Sequence, residues 1–283
     1  TVVSFATTLP ELLVSVRAAM NGSAQLAIGN AVGSVTANTT LIMGVSLVAM
    51  AGIINRKEFA LKGGLLLSAI VGLTVLSLSG MLPTWSAFIL WAIFLVFMTS
   101  NLIEGKKSSA NEEKGEYSKK EIPARILWFV LGTAFIVFGA EFLVSSGKTI
   151  ASGIGISETI IGFTVIALGT SLPELVTTLT AIAKKQASLS VGNIIGANVF
   201  DLTLILSICA FVSGGNLEVP AKAYAANWPA FFRSGLDMPV CLAVGLIAIL
   251  PPLITKKFYR WQGVALLLTY AAYIAGVCIL QTA

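Results

Sequence analysis

Residues 261–281 run for 21 positions without a charged side chain, and apolar runs of similar length recur along the chain. About 20 apolar residues in a helix match the thickness of a bilayer's hydrocarbon core. Recurring runs of this length read as membrane-spanning α-helices. Composition agrees: 56% of the 283 residues are hydrophobic, 11% are charged, and mean hydropathy is +0.90, whereas a soluble domain is about a quarter charged. We therefore expect an all-α polytopic membrane protein whose partner is the lipid bilayer.

The apolar runs and their polar breaks predict about nine transmembrane helices, near 1–20, 25–54, 63–81, 84–103, 125–147, 157–184, 188–213, 237–255 and 261–281. The second and sixth are long enough for Gly or Pro to break or tilt them. The chain opens inside an apolar segment with no initiator Met, so upstream sequence is expected. Residues 104–123, "EGKKSSANEEKGEYSKKEIP", are charged and poor in apolar residues, and they predict a linker between two halves. Of the 18 Lys and Arg, 14 fall in 55–62, 104–125, 184–187 and 256–260, which alternate with loops holding the other 4. By the positive-inside rule the first set is cytoplasmic, which puts the linker inside and the C-terminus outside. That distribution also accounts for the net charge of +5 without a nucleic-acid partner.

Two short stretches resist the greasy background: "FATTLPEL" (5–12) and "ALGTSLPEL" (167–175). An offset of 163 residues superposes them, and 14 of the 40 positions from Ser4 to Met43 then match. Thr7, Leu9, Pro10, Glu11 and Leu12 fall on Thr170, Leu172, Pro173, Glu174 and Leu175; Gly29, Asn30 and Gly33 fall on Gly192, Asn193 and Gly196. Chance likeness between apolar helices places Leu on Leu, not Pro-Glu on Pro-Glu. The equivalent spans are the first and sixth, an odd separation, so the copies would cross the membrane in opposite directions. Inverted repeats with broken helices are the mark of secondary transporters.

The local chemistry follows from each Pro. Without an N–H, Pro10 and Pro173 free the carbonyls four residues back, on Ala6 and Gly169. Beside them stand Thr7 with Thr8, Thr170 with Ser171, and one carboxylate per copy. Freed carbonyls, hydroxyls and carboxylates are hard oxygen donors suited to Ca²⁺, which takes about six to eight of them, and to Na⁺. The next helix in each copy adds a polar stripe at four-residue spacing: Asn30, Ser34 and Asn38, then Asn193, Ala197 and Asp201. One Pro-Thr pair reads equally well as a plain kink, and Asn or Ser on a helix face as interhelical hydrogen bonds. Three deep carboxylates, Glu11, Glu174 and Asp201, have no such bland reading. Glu141, Glu158 and Asp237 lie nearer span ends and are expected at the interface.

Several classes fall away. The chain has no His, which removes the usual metal ligand and any HExxH metalloprotease motif. An intramembrane aspartyl protease needs two deep Asp, and only Asp201 qualifies. Cys209, Cys241 and Cys278 are scattered in apolar context and read as buried thiols. A passive cation channel stays open as a rival, though broken inverted helices favour a carrier.

The motifs "GTSLPEL" (169–175) with "GNIIGANVFD" (192–201), and their counterparts "ATTLPEL" (6–12) with "GNAVGSVTAN" (29–38), resemble the cation/Ca²⁺ exchanger superfamily, in particular its sodium/calcium exchanger branch of prokaryotic type. The resemblance spans essentially the whole chain. It implies two inverted five-helix halves, 1–103 (lacking its first helix) and 124–283, joined by the cytoplasmic linker 104–123, in a prokaryotic plasma membrane. It further implies that Glu11 and Glu174 are the central Ca²⁺ and Na⁺ ligands, joined by the Thr7 and Thr170 carbonyls. Thr8, Ser171 and Ser34 would serve flanking Na⁺ sites, Asn38 and Asp201 would sit beside the carboxylates, and carbonyls of Ser4 and Ala167 would contribute. The expected activity is Na⁺/Ca²⁺ antiport by alternating access, with Ca²⁺ and Na⁺ as cargo, no cofactor and no enzymatic step. The alternative is H⁺- or K⁺-coupled exchange of Ca²⁺ or another divalent cation.

Three departures qualify the resemblance. Ala6 replaces a usual Gly, Val35 stands opposite Asn198, and Ala197 lacks the hydroxyl of Ser34, which puts one Na⁺ site in question. Gly33 and Gly196 stand where the H⁺/Ca²⁺ branch carries an acid, which disfavours that branch.

Overall fold

The apolar runs are helices in the computed structural model, which describes residues 2–52, 56–111, 122–153, 167–219, 225, 229 and 236–282. In chain order they are α1 (Val2–Thr7), α2 (Leu9–Met20), α3 (Ala24–Ala37), α4 (Met43–Ala49), α5 (Arg56–Leu76), α6 (Ser86–Asn111), α7 (Ile122–Gly153), α8 (Ala167–Thr170), α9 (Leu172–Ala183), α10 (Ala187–Val199), α11 (Leu206–Val212), α12 (Asp237–Thr255) and α13 (Arg260–Thr282). Among the described residues seven stretches are long and apolar enough to cross a membrane. The two expected spans outside that set, 1–20 and 157–184, are those with a Pro-Glu pair. The first is split between α1 and α2; of the second only α8 and α9 are described, residues 157–166 with Glu158 lying outside the described residues.

The long second span of each copy is not broken by Gly or Pro. Instead α3 passes into α4 through a π-helical segment, Asn38–Ile42, and α10 passes into α11 through another, Phe200–Ile205. One wide turn inserts a residue without ending the helix, a device frequent at functional sites. These are the most deeply buried spans in the bundle. Phe200 holds the second π segment in place, with its ring 5.8 Å from Phe5, 5.7 Å from Phe94 and 6.1 Å from Phe97.

Packing follows the membrane pattern. Large apolar side chains such as Trp128, Phe135, Phe142 and Ile254 point outward, while Asn38, Thr40, Glu174, Asp201 and Thr203 are wholly buried. Lipid solvates the first group at no cost, so small residues and polar contacts hold the interior together. Gly44 and Gly263 let α4 and α13 approach backbone to backbone: a Cβ on Gly263 would lie 2.7 Å from the Gly44 carbonyl oxygen and 2.8 Å from the Val48 nitrogen. Gly263→Val is expected to force these helices apart and to cost on the order of 3 kcal/mol or more, at the severe end for overpacking. Thermal unfolding in detergent is the measurement, and an unchanged midpoint would count against this close approach.

Contacts at the two ends of the bundle fix chain direction. At one end Phe258 N–H donates to the Gly52 carbonyl (2.8 Å), Phe59 meets Phe258 (5.2 Å), and Lys62 pairs with Glu104 (2.7 Å). Ser46 meets Ser190 (2.7 Å) toward that same end, just past the turn that closes α9. At the other end strand β1 (Met81–Leu82) pairs antiparallel with β2 (Leu217–Glu218), and Gln25 reaches Glu218 (3.4 Å). Thus α2 carries the chain to the strand end, and α9 carries it to the opposite one. Under the 163-residue offset the packing pairs also exchange: α1 lies on α10 and α8 on α3, while α2 touches the second π segment and α9 the first. Helix α6 continues to Asn111 and α7 begins at Ile122, so both reach into the segment 104–123, of which residues 112–121 lie outside the described residues.

Candidate cation site

Both breaks have the same backbone. Thr8 sits at φ −83°, ψ 1° and Ser171 at φ −86°, ψ 3°, each just before a helix with Pro at its second position. There Pro is tolerated, because the first turn of a helix has no partner for its N–H groups. The Glu follows in that same turn, so Glu11 and Glu174 stand near the positive end of a helix.

The two copies interlock. Thr8 Oγ1 comes within 3.4 Å of Glu174 Oε1, and Ser34 Oγ meets Thr170 Oγ1 (3.5 Å). The Thr7 side chain faces Glu174, and its repeat partner Thr170 faces Glu11. Glu11 lies within electrostatic reach of Glu174 and Asp201, and Asp201 within reach of Glu174. Each copy therefore turns hydroxyl-bearing residues toward the other copy's carboxylate.

Every residue expected at the site is buried: Thr7, Thr8, Glu11, Ser34, Asn38, Thr170, Ser171, Glu174 and Asp201. Among the described residues, eleven buried side-chain polar atoms lack a hydrogen-bond partner, and eight of them belong to Glu11, Asn38, Ser171, Glu174 and Asp201. Buried polar atoms are nearly always paired. All but one of these eight are oxygens, the donor set of a hard cation. Among the described residues no three acidic, His or Cys side chains come close enough to chelate one ion by themselves. A cation here must therefore draw on hydroxyls, carbonyls or the Asn38 amide as well. The donor chemistry fits Ca²⁺ and Na⁺.

The outer members of the stripes have another task. Asn30 Nδ2 donates to Ser15 Oγ (3.0 Å) and toward the Glu11 carbonyl (3.4 Å), and Asn193 Nδ2 donates to Thr177 Oγ1 (3.0 Å). Both tie the polar-stripe helix to the Glu-bearing one. Asp237, expected at the interface, starts α12 and accepts from Tyr273 (2.8 Å). The sequence drew no role for Asn198, Thr39 or the Ser4 side chain. Asn198 Nδ2 donates to Thr39 Oγ1 (2.9 Å), while Asn198 Oδ1 is unpartnered. Ser4 Oγ donates to Asn193 Oδ1 (2.9 Å). A polar residue in a buried stripe, unmatched across the repeat, was the available signal for Asn198 and Ser4.

A helical membrane bundle that buries unpartnered oxygens between two broken helices has the chemistry of a cation-binding membrane protein. The comparisons make the class specific: a family model described as sodium/calcium exchanger protein matches residues 1–102 and 125–279, and the chain belongs to that family. It is 32% identical over 238 residues to the inner membrane protein YrbG of Escherichia coli, covering 81% of this chain and 72% of that one. It is 36% identical over 149 residues to the sodium/calcium exchanger MaX1 of Methanosarcina acetivorans, covering 53% of this chain and 39% of that one. A solved structure of the sodium-calcium exchanger NCX_Mj, soaked with Na⁺ and Sr²⁺, superposes with a TM-score of 0.79 at 26% identity, over 97% of this chain and 84% of that one. The protein is a cation/Ca²⁺ antiporter embedded in the membrane.

Proposed function

We propose that this antiporter couples Na⁺ entry to Ca²⁺ export by alternating access, through one shared site. Glu11 and Glu174 are the central ligands, with Thr7, Thr8, Ser34, Asn38, Thr170, Ser171 and Asp201 around them. The observation that carries this reading is the set of unpartnered carboxylate oxygens on Glu11, Glu174 and Asp201, all buried where the two breaks meet. Three carboxylates cannot hold Ca²⁺ and a full complement of Na⁺ together, so the two ions compete and binding of one expels the other. Ca²⁺ uptake into vesicles, driven in turn by outward Na⁺, K⁺ and H⁺ gradients, tests the coupling ion. Uptake should follow the Na⁺ gradient alone. Uptake driven by K⁺ or H⁺ would replace Na⁺ as the partner, and flux without a counter-ion would favour a channel.

In this reading the halves 1–103 and 124–283 are inverted repeats joined by the linker 104–123. The opposite directions of α2 and α9 support it, as does the exchange of packing partners under the 163-residue offset. The basic loops alternate with poorly charged ones, which supports a cytoplasmic linker, and the bacterial and archaeal relatives support a prokaryotic plasma membrane. A cysteine placed at Ser109 should then resist an impermeant thiol reagent on intact cells and react once they are opened. Ready labelling from outside, compared with the unsubstituted chain, would reverse the orientation.

A further inference from the structure

Under the repeat, Ser34 and Ala197 are equivalent positions, as are Ser4 and Ala167. The first half thus offers a hydroxyl at both positions, and the second offers only methyls. Because the copies interlock, these two hydroxyls do not fall on the same side. Ser34 reaches across to Thr170, which faces Glu11. Ser4 instead lies on α10, beside the position that lacks a hydroxyl. A Cβ on Gly196 would come 2.5 Å from Ser4 Oγ and 3.0 Å from Ser4 Cβ, so the Ser4 side chain fills the notch left by Gly196, next to Ala197.

Hydrogen-bond direction at Ser4 is set by a relay. Thr177 Oγ1 donates to the Glu174 carbonyl (2.9 Å), so it accepts from Asn193 Nδ2 (3.0 Å), which turns Asn193 Oδ1 toward Ser4 Oγ (2.9 Å). The Ser4 proton is thereby committed to Asn193, which leaves the oxygen with lone pairs and no proton to offer. A hydroxyl in that state is a ligand for a cation. The Ser4 carbonyl accepts from Thr8 Oγ1 (2.6 Å), the same hydroxyl that reaches Glu174 Oε1 (3.4 Å). Ser4 therefore borders the oxygen cluster on the Glu174 side, and it is fully buried.

We propose that the Ser4 hydroxyl supplies, from α1, the Na⁺ ligand that α10 lacks at Ala197, so that Na⁺ selectivity on the Glu174 side rests on Ser4. The inference rests on the shared-site reading above and adds to it a residue whose side chain distinguishes Na⁺ from Ca²⁺. Ca²⁺ draws mainly on carboxylate charge and is much less sensitive to one neutral hydroxyl.

The test is a Na⁺ titration against a fixed concentration of radioactive Ca²⁺ bound to the purified protein, in the unsubstituted chain, Ser4→Ala, and the double variant Ser4→Ala with Ala197→Ser. Ser4→Ala should raise the Na⁺ concentration that half-displaces Ca²⁺ by about three- to tenfold, the scale of one polar contact. Ca²⁺ affinity without Na⁺ should fall by a much smaller factor than the Na⁺ midpoint rises, which also reports an assembled site. Ala197→Ser should restore the Na⁺ midpoint in the Ser4→Ala background by returning the hydroxyl from the other wall. An unmoved midpoint, an equal loss of Ca²⁺ affinity, or a double variant no better than Ser4→Ala overturns the proposal. The last two outcomes would make Ser4 a packing contact between α1 and α10. If Na⁺ fails to displace Ca²⁺ from the unsubstituted chain, the Na⁺-coupled reading itself falls, and Ser4 as a Na⁺ ligand falls with it.

Discussion

Glu174→Gln is expected to abolish Ca²⁺ transport while leaving a folded protein. The substitution keeps the volume of a fully buried side chain, and Glu174 Oε1 lies 3.4 Å from Thr8 Oγ1, a contact that an amide can keep. What changes is charge. Ca²⁺ sites gain or lose several orders of magnitude in affinity with the number of charged ligands, so one carboxylate fewer should weaken Ca²⁺ by about a hundredfold or more. The variant also relieves repulsion, since Glu11 and Asp201 both lie within electrostatic reach of Glu174. Its ion-free stability should therefore equal or exceed that of the unsubstituted chain. Glu11→Gln should behave alike, because the repeat places it equivalently. Gradient-driven Ca²⁺ uptake and thermal unfolding in detergent are the two readouts. Exchange at the unsubstituted rate in either variant would sink the shared-site model.

What the sequence made legible was chemistry that lipid does not tolerate without a reason. A carboxylate one residue after Pro, twice, at a fixed offset, has few explanations inside an apolar helix, and the structure buries both Glu11 and Glu174 where helices break. The breaks themselves were readable because Pro removes a known hydrogen bond. The π segments were not. "NTTLI" and "FDLTLI" contain neither Gly nor Pro, so nothing local announces their extra residue, and each packs against the Glu-bearing helix of the other copy. Composition also misplaced one boundary of the helices. "EGKKSSAN" looks like linker by charge, yet Glu, Lys and Ala are good helix formers, and α6 continues through it to Asn111. The strand pair between 81–82 and 217–218 joins two-residue segments far apart in sequence, with no local signal to announce it. The relay from Ser4 to the Glu174 carbonyl is likewise a product of the interlocking copies, visible only once α1 lies on α10.

Cation removal is expected to destabilise the whole bundle, and the effect should vanish when the site is disarmed. Segments 2–16, 24–49, 167–183 and 187–212 build the site and carry no Lys or Arg, so no basic side chain on them can neutralise Glu11, Glu174 or Asp201. Both oxygens of Glu11 and Asp201 and one of Glu174 also lack hydrogen-bond partners. A bound cation supplies both the charge and the contacts that these groups lack, and the unfolded chain does not assemble that arrangement. Binding to the folded state alone stabilises it by about 2.7 kcal/mol at a ligand concentration a hundred times Kd. The unfolding midpoint of the purified protein should therefore climb with the logarithm of Ca²⁺ concentration and fall sharply on chelation in a Na⁺-free buffer. Na⁺ added after chelation should restore part of the loss, because it enters the same oxygen cluster. In Glu174→Gln the Ca²⁺ dependence should flatten, while the ion-free midpoint stays at or above that of the unsubstituted chain. The two halves of this expectation have different causes, loss of a charged ligand and loss of a repulsion, so both must hold in one variant. A Ca²⁺ response that survives Glu174→Gln unchanged would place the stabilising ion elsewhere in the protein.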